Sequence, residues 1–354
     1  MNSIRVGVTG FISSESPKPG FNVARSLKEG LGEGVHIVAL DSYPLTASIA
    51  LPTLVDETHL IPPPSDGPNA MLEYLKELTM KGPLDVLIPN DDIEVELLAG
   101  IRENVEGLGI KLALPTTKAL KLRSKENLYS SLIQHGYSAP KTVVLFQNQD
   151  VARIGDQLGY PLVVKGRLCD AYLAQSLAEA KIVFERIAET SGLPVIVQQF
   201  VPGEEYSVTA VADGQNRAVG IVAIKKIGIT EKGKTWAGVT IEAPWLIELG
   251  KKVVADLGWV GPIEIEFIKS EERNEWFVIE INPRFPSWIY LATSAGQNLP
   301  LALVQLAIDG LSQELPPYKS GVAFMRVFYE AVLPIEQFGA FLTGSEVDWV
   351  AWTK

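Results

Sequence analysis

Acidic side chains recur on two neighbouring stretches of the sequence that have the pattern of β-strands. Side chains alternate between the two faces of a strand, so Glu264 and Glu266 share one face of the first stretch, and Glu280 and Asn282 share one face of the second. The short polar connection suits an antiparallel hairpin, which would gather three carboxylates and one amide on a single patch. Two carboxylates about 4 Å apart repel each other by roughly 4 kcal/mol at an intermediate dielectric constant. Either protonation or a bound cation must offset that repulsion.

Magnesium is the cation that suits this set of donors. Mg²⁺ prefers oxygen ligands and completes its octahedral shell with nucleotide phosphates. Arg284, two residues beyond Asn282, is placed to meet phosphate oxygens or an anionic intermediate. The alternative is the solvated polar face of an edge hairpin, which accounts for Glu264 and Glu280. It does not account for the Glu-x-Asn-Pro-Arg spacing or for the lack of lysine partners within the two stretches, so we expect a metal site.

Several lysines stand where they could meet a triphosphate. Lys165 ends the buried apolar strand Pro161–Lys165, and Lys125 opens a helical stretch. Taken alone, each of these two lysines is more often a simple surface cation. One of Lys225 and Lys226, on a later strand, is expected to face the cleft and the other to face solvent, because successive side chains alternate.

The elements that must position these side chains fall into three regions. In the first, short apolar strands alternate with helices, which predicts a parallel sheet covered on both faces. Ligands bind beyond the carboxyl ends of such strands, here at Gly10–Gly20, Asp41–Thr46 and Asn90–Asp92.

The pattern changes after Leu114–Thr116, and from Glu205 the strands are long and alternating, as in an antiparallel sheet. The predicted strands are Ile4–Val8, Val35–Leu40, Asp85–Pro89, Lys141–Leu145, Leu162–Lys165, Pro194–Val201, Glu205–Asp213, Ala218–Lys226, Ile263–Lys269 and Glu275–Asn282, the last with Phe277, Ile279 and Ile281 on one face. The predicted helices are Asn22–Glu29, Ala70–Met80, Glu94–Asn104, two short ones in Lys118–Gly136, Val151–Leu158, Leu177–Ser191, Leu246–Leu257 and Pro300–Leu311, and Trp236–Gly238 reads as a mobile loop.

Composition excludes several classes of protein. The chain has 354 residues, one cysteine, three histidines and a formal net charge of −11 at pH 7. One cysteine excludes an intramolecular disulfide, so a reducing cytoplasm is the default location. The histidines are far apart, which argues against zinc, and the acidic charge without a basic patch argues against nucleic acid. No secretory opening segment is present, and no apolar run reaches the length of about 20 residues that spans a membrane.

Together these motifs resemble the ATP-grasp superfamily, in particular its carbamoyl-phosphate synthetase and biotin carboxylase branch. The resemblance rests on the Glu-x-Asn-Pro-Arg element, the two lysines and the segment Val197–Val208, and it covers most of the chain. It implies an ATP-grasp fold of mixed α/β and α+β class. It also implies a Rossmann-like parallel-sheet domain at 1–116, a small central α/β lobe at 117–200 and a large antiparallel lobe at 201–354.

The resemblance also assigns roles to the site residues. Glu266 and Glu280 would bridge two Mg²⁺ ions, with Mn²⁺ as the alternative metal, and Asn282 would bind one of them. Arg284 would neutralise the transferring phosphate, with Lys225 as a second catalytic residue. The expected nucleotide-binding residues are Lys125, Lys165, Gln199, Phe200, Val201 and Glu205, with the backbone of Phe200 and Val201 on the adenine edge and Glu205 on the ribose.

The activity implied is that of an ADP-forming ligase. ATP would phosphorylate a substrate carboxylate to an acyl phosphate, and an amine, or less often a thiol, would then displace the phosphate. The expected partners are a small-molecule or peptide carboxylate and an amine, without nucleic acid or membrane, in a homodimer. Two departures from the family pattern bear on turnover: the lid Lys165–Ala171 has one glycine where several are usual, and Ser124 precedes Lys125 where an aspartate is common. Cys169 in that lid reads as an ordinary thiol because no histidine adjoins it.

Other readings remain at this point. The altered lid also suits a non-catalytic homologue that binds nucleotide and a partner. Asp41, at the end of a strand, is what the ribose-binding acid of a nicotinamide-dependent oxidoreductase would look like, but the first turn lacks G-x-G-x-x-G. Trp288 reads either as core packing or as an aromatic wall of the acceptor site beside Arg284.

Overall fold

A computed structural model describes residues 3–12, 17–167, 171–230, 233–310, 313–328, 330–333, 335, 339 and 346–348. Within these residues the chain forms three β-sheets with helices packed against them. Cys169 and its two neighbours in the lid lie outside the described residues.

The first sheet has five strands in the order β15-β3-β2-β1-β4. Strands β1 to β4 are parallel, and β15 joins β3 in the antiparallel sense. The apolar runs that predicted these strands are buried, as Val6, Val8, Ile37 and Ile88 show. The chain order reverses between β1 and β4, which makes the carboxyl ends of those two strands the natural place for a ligand. The bounds are β1 Ile4–Thr9, β2 Val35–Asp41, β3 Glu57–Leu60, β4 Val86–Ile88 and β15 Glu346–Asp348, with helices α1 Gly20–Leu31, α2 Pro68–Lys81, α3 Asp92–Gly100 and α4 Arg102–Glu106.

The second sheet is a small antiparallel one in the order β5-β8-β6-β7. Helices α7 and α8 pack on it through Val151, Ile154, Phe184 and Ile187, all of which are buried. Two short helices, α5 and α6, precede it and carry Lys125 in the turn between them. The bounds are α5 Thr117–Arg123, α6 Leu128–Gln134, β5 Thr142–Leu145, α7 Asp150–Leu158, β6 Leu162–Lys165, β7 Ala171–Ala174, α8 Leu177–Ser191 and β8 Val195–Gln199.

The third sheet has six strands in the antiparallel order β13-β12-β9-β10-β11-β14. One face is apolar, because Ile263 and Ile265 of β12 and Val208 of β9 are buried against Leu246 and Val253 of helix α9. The opposite face of β12 and β13 carries the acidic residues. The bounds are β9 Glu204–Asp213, β10 Ala218–Ile229, β11 Thr235–Thr240, α9 Pro244–Asp256, β12 Val260–Ser270, β13 Glu275–Asn282, α10 Tyr290–Ser294, α11 Leu299–Asp309 and β14 Ala323–Met325.

Three local predictions are wrong. Trp236–Gly238 belongs to strand β11 and is not a loop. The helix predicted over Glu94–Asn104 is two helices, α3 and α4. A β-bulge at Ile279 of β13 separates the Glu266–Glu280 pair from the Phe267–Val278 pair, so that Phe277 falls on the face opposite to Ile281. A bulge inserts one unpaired residue and reverses the alternation beyond it, which a simple count of alternate residues does not anticipate. Strands β3, β7, β11, β14 and β15 were not predicted.

The predicted domain boundaries after residues 116 and 200 stay predictions. Strand β15 belongs to the first sheet although it lies near the C-terminus, so the last segment of the described chain returns to the N-terminal region. Within the described part of the chain, no helix combines the length and the apolar character that crossing a membrane requires.

Candidate functional site

The acidic residues of β12 and β13 form one patch. Glu264 lies opposite Asn282, and Glu266 lies opposite Glu280, so all four side chains share a face as predicted. The Asn282 amide donates from Nδ2 to Glu264 Oε2 at 3.1 Å and to Glu266 Oε1 at 3.2 Å. The amide therefore links the two carboxylates of β12 from the neighbouring strand.

Two lysines reach Glu280 from other elements. Lys125 Nζ lies 3.4 Å from Glu280 Oε1, and the charge of Lys165 on β6 acts on the same carboxylate. Burial alone would raise the pKa of Glu280, but the charges of Lys125 and Lys165 outweigh it and hold that pKa well below its usual range. For Lys165 the balance is reversed, because burial lowers its pKa more than Glu280 raises it. Lys125 and Lys165, the two lysines predicted to bind phosphates, thus both act on Glu280.

Lys226, not Lys225, faces the patch. Its Nζ lies 2.5 Å from Glu266 Oε2 and 3.0 Å from Glu205 Oε2, and its side chain is 1% exposed. The two carboxylates raise its pKa despite burial. Lys225 points the other way and pairs with Glu204 in solvent. The prediction of Lys225 as a site residue is corrected by the pleat of β10, which sends adjacent side chains to opposite faces.

Glu264 is buried, in contrast to the solvated face that was its alternative reading. Ser207 Oγ donates to its Oε1 at 2.9 Å, and Trp288 Nε1 donates to the same oxygen at 3.1 Å. Burial raises the pKa of Glu264, and the nearby charge of Glu266 raises it further. The Trp288 ring is 3% exposed and packs with Ile224. The burial of Trp288 favours the core-packing interpretation, and its indole N–H donates to Glu264 of the acidic patch.

Arg284 is held by one carboxylate of the third sheet and one at the start of helix α3. Its Nε lies 3.1 Å from Asp92 Oδ1, at the start of α3, and its Nη1 lies 3.6 Å from Glu264 Oε2. Burial disfavours the charged guanidinium, but the charges of Asp92 and Glu264 outweigh burial and raise the pKa of Arg284. Sequence reasoning placed Asn90–Asp92 at a ligand-binding strand end but did not connect Asp92 with Arg284. Only the packing of the first sheet against the third brings them together.

A small pocket lies between the second and third sheets, next to the lysines. Its polar walls are Lys125, Lys165 and Gln198. Its apolar walls include Leu128, Leu132, Ala139, Ile196, Val278 and Ile279. An apolar slot with a few polar groups at one end is typical of small-molecule sites.

The predicted hinge residues lie beside this pocket rather than in its walls. Among the described residues that line it, Gln198 takes part, whereas Gln199, Phe200 and Val201 do not. The backbone N–H of Gln199 donates to the carbonyl of Lys141 at 2.8 Å. Phe200 is partly exposed and Val201 is buried, while Glu205 binds Lys226 as described above.

The metal expectation can be tested on the donor set. Glu266, Glu280 and Asn282 present carboxylate and amide groups on one face, which suits Mg²⁺ that takes its remaining oxygens from phosphates and water. No group of three or more His, Cys, Asp and Glu side chains in the described residues is arranged to hold a metal ion by itself. The three oxygen-bearing side chains thus fit a metal that takes its remaining ligands from a nucleotide.

Comparison with known proteins identifies the domain that contains this patch. Residues 122–287 match the sequence model of the ATP-grasp domain family. This region is an ATP-grasp domain. Lys125, Lys165, Lys226, Glu280 and Arg284 all lie inside the ATP-grasp domain. Asp92 and Trp288 lie outside the matched residues.

Individual relatives agree with this family. The chain is 23% identical over 285 residues to the carbamoyl phosphate synthase large chain of Pyrococcus furiosus, over 70% of this chain and 26% of that protein. It is 26% identical over 186 residues to the phosphoribosylamine–glycine ligase of Caldanaerobacter subterraneus, over 49% of this chain and 44% of that protein. The chain thus spans about a quarter of the synthase and under half of the ligase.

A solved structure shares the fold. The biotin carboxylase domain of the Hydrogenobacter thermophilus 2-oxoglutarate carboxylase, crystallised with MgADP and bicarbonate, matches 90% of this chain and 72% of its own. The TM-score is 0.67 and the sequence identity 16%. The ATP-grasp fold predicted for the chain is confirmed, with a parallel sheet, a small antiparallel sheet and a large antiparallel sheet.

Two alternative functions gain no support from the structure. They are the non-catalytic homologue, which the altered lid suggested, and the oxidoreductase, which Asp41 suggested. In the lid, Arg167 forms an ion pair with Glu126, while Cys169 is outside the described residues. Asp41 is buried and accepts hydrogen bonds from Phe11 N and the Thr46 hydroxyl, so its carboxylate is already engaged within the first sheet. The ATP-grasp domain, by contrast, accounts for the acidic patch and its lysines.

Proposed function

We propose that the chain is an ADP-forming ligase that joins a carboxylate to an amine. The observation that carries the proposal is the pairing of Glu266 with Glu280 across β12 and β13, on the face that Lys125, Lys226 and Arg284 also reach. Paired carboxylates ringed by cations suit a bound metal–triphosphate, and positioning and charge neutralisation are the main contributions that a protein makes to phosphoryl transfer. The domain division at residues 116 and 200 is part of this proposal.

The reaction proceeds in two steps. A carboxylate oxygen of the first substrate attacks the γ-phosphorus of ATP, the bond to the bridging oxygen breaks, and ADP leaves with that electron pair. The amine nitrogen of the second substrate then attacks the acyl carbon, and phosphate departs as the C–O bond breaks and the nitrogen loses a proton. A thiol is the alternative nucleophile.

The side chains have separate roles in these steps. Lys125 and Lys165 hold the phosphates, and Arg284 faces the charge that develops on the transferred phosphoryl group. Glu266, Glu280 and Asn282 would hold two Mg²⁺ ions, or Mn²⁺, which supply the remaining charge neutralisation when bound. The purine would lie at the pocket beside Lys125 and Lys165, with Gln199, Phe200 and Val201 at its edge and Glu205 on the ribose. Lys226 holds Glu205 and Glu266 in place.

The relatives indicate the kind of substrate but not its identity. One is named for joining phosphoribosylamine to glycine, and another structure contains bicarbonate. We propose a small-molecule or peptide carboxylate and an amine, acted on in the cytoplasm by a homodimer.

A screen of ADP release tests the proposal. Purified protein is given Mg-ATP with bicarbonate, each standard amino acid or short peptides, in all pairs of acid and amine. Release that needs both an acid and an amine supports the ligase. Binding of ATP without release by any pair supports the non-catalytic homologue that the glycine-poor lid suggests, and it contradicts the ligase for these substrates.

A further inference from the structure

Asp92 is a single carboxylate that holds two guanidinium groups from distant parts of the chain. Its Oδ1 lies 3.1 Å from Arg284 Nε, and its Oδ2 accepts a hydrogen bond from Arg123 Nη1 at 2.7 Å. Arg284 follows β13 of the third sheet, whereas Arg123 ends α5. Asp92 itself begins α3 of the first sheet. Three regions of the fold therefore meet at one side chain.

Each of the two arginines adjoins the candidate nucleotide site. Arg123 stands two residues before Lys125, which pairs with Glu280 at 3.4 Å. Arg284 keeps Nε on Asp92, while Nη1 faces Glu264 and donates to the Phe285 carbonyl at 3.1 Å. These contacts hold the guanidinium at Nε and Nη1 and fix the plane of the group.

Asp92 could instead serve stability alone. An acidic residue in the first turn of a helix is favoured by the helix dipole, and an ion pair between domains can serve cohesion only. Glu96 allows the two roles to be separated. It lies one turn further along α3 and binds Arg123 at 2.6 Å. The structure gives it no contact with Arg284.

We propose that Asp92 is a positioning residue for the ligase reaction, contributed by the first sheet, which aims Arg284 at the transferring phosphoryl group and ties it to the segment that carries Lys125. This inference rests on the proposed function, because it assigns Asp92 a task in that reaction. Asp92 lies outside the residues that match the family model, because it precedes residues 122–287. The physical reason is that arginine has a long flexible side chain, and small displacements of a positioning group are costly to the rate.

The test compares Asp92→Asn with Glu96→Gln in ADP release from Mg-ATP and the best acid–amine pair of the screen. A misplacement of about 1 Å can cost on the order of 100-fold in rate, so we expect Asp92→Asn to lower kcat by roughly 10- to 100-fold while the KM for ATP changes little. The control Glu96→Gln should change kcat by less than a factor of about three, as for a half-exposed ion pair. Equal kcat in Asp92→Asn and wild type overturns the proposal.

A double-mutant cycle separates positioning from cohesion. If Asp92 acts through Arg284, adding Asp92→Asn to Arg284→Lys should lower kcat little further, because residues that act as a unit are not additive. Independent, additive losses in the cycle contradict the proposal and indicate a structural role.

A chemical probe gives a readout that does not need the substrates. Phenylglyoxal modifies accessible guanidinium groups, and peptide mass spectrometry measures its rate at Arg284. We expect a several-fold faster rate in Asp92→Asn than in wild type or Glu96→Gln, with circular dichroism showing all three folded. If the wild type releases no ADP with any pair, the proposed function fails. The phenylglyoxal modification rates still decide whether Asp92 holds Arg284. An equal modification rate at Arg284 in Asp92→Asn and wild type overturns the positioning role.

Discussion

Glu266 and Glu280 lie directly opposite each other on β12 and β13, and the β-bulge begins immediately beyond them. Opposed carboxylates destabilise a sheet unless cations offset them, and here Lys226 contacts one and Lys125 the other. The bulge lets Ile279 and Val278 turn towards the adjacent pocket. This pair is therefore the centre of the candidate site.

Glu280→Gln should abolish ATP-dependent condensation while the protein stays folded. The substitution removes a charge that Lys125 and Lys165 surround, together with a proposed metal-binding oxygen. Removing one group that stabilises developing charge typically costs 100-fold or more, roughly 10²–10³ in kcat. ADP release measures the effect, and Glu272→Gln, in the exposed turn between β12 and β13, is the matched control. Full activity of Glu280→Gln with Mg²⁺ present would show that the metal assignment is wrong.

Lys226→Met should destabilise the fold far more than Lys225→Met. Lys226 is buried between Glu205 and Glu266, and removing one partner of a buried ion pair costs about 3–5 kcal/mol. Both carboxylates keep some solvent contact, so we expect the lower end of that range. Lys225 lies in solvent with Glu204, and its loss should change stability little. Urea unfolding measures the free energies; similar values for the two variants would contradict the assignment of Lys226 to the site.

Glu94→Gln should remove part of the pH dependence of stability. Glu94 is buried beside Thr9, and burial raises its pKa to about 8. Between its ordinary pKa and about 8 the native state keeps a proton that the unfolded chain has lost. Wild-type stability contributed by this group is therefore complete in acid and is lost as the pH rises through that window.

The glutamine side chain stays neutral throughout that window. Glu94→Gln should accordingly lose less stability than wild type between pH 5 and pH 9, with each unit of pKa shift worth about 1.4 kcal/mol. Urea unfolding at several pH values measures this. Parallel pH profiles for the two proteins would show that Glu94 keeps an ordinary pKa in the folded state.

Trp288→Phe should lower activity with little loss of stability, whereas Trp288→Ala should unfold more readily. The ring is buried, so truncation to alanine costs about 3–5 kcal/mol. Phenylalanine keeps most of the ring but removes the N–H that reaches Glu264 at 3.1 Å, which leaves that carboxylate with fewer donors near Arg284. Thermal unfolding and ADP release measure the two effects. A Trp288→Phe variant with altered choice of amine would instead favour the aromatic wall of an acceptor site.

Much of the site follows from short-range pattern. The alternation of Glu264 and Glu266, the Glu-x-Asn-Pro-Arg spacing and the apolar strand ending at Lys165 all depend on residues close together in the chain. The prediction that the acidic residues share a face is confirmed for this reason. Alternation also required that only one of Lys225 and Lys226 face the cleft, but it did not say which.

The remaining features depend on contacts between distant segments, which no local pattern reports. The bulge at Ile279 reversed the expected face of Phe277. Strand β15 joined a sheet whose other strands lie near the N-terminus, because strand pairing is set by backbone partners. The burial of Glu264 depends on the distant Ser207 and on Trp288, and the contact of Asp92 with Arg284 arises only when the first and third sheets pack.

The amino-acid sequence by itself thus determined the class of fold and the chemical groups available, because strand periodicity and residue type are local properties. Tertiary structure alone decided which lysine reaches Glu266 and what surrounds Arg284. Those outcomes depend on how β10, β9 and β12 pair within one sheet and on how the first and third sheets pack, and these arrangements set both the distances between charges and the exposure of each charge to water.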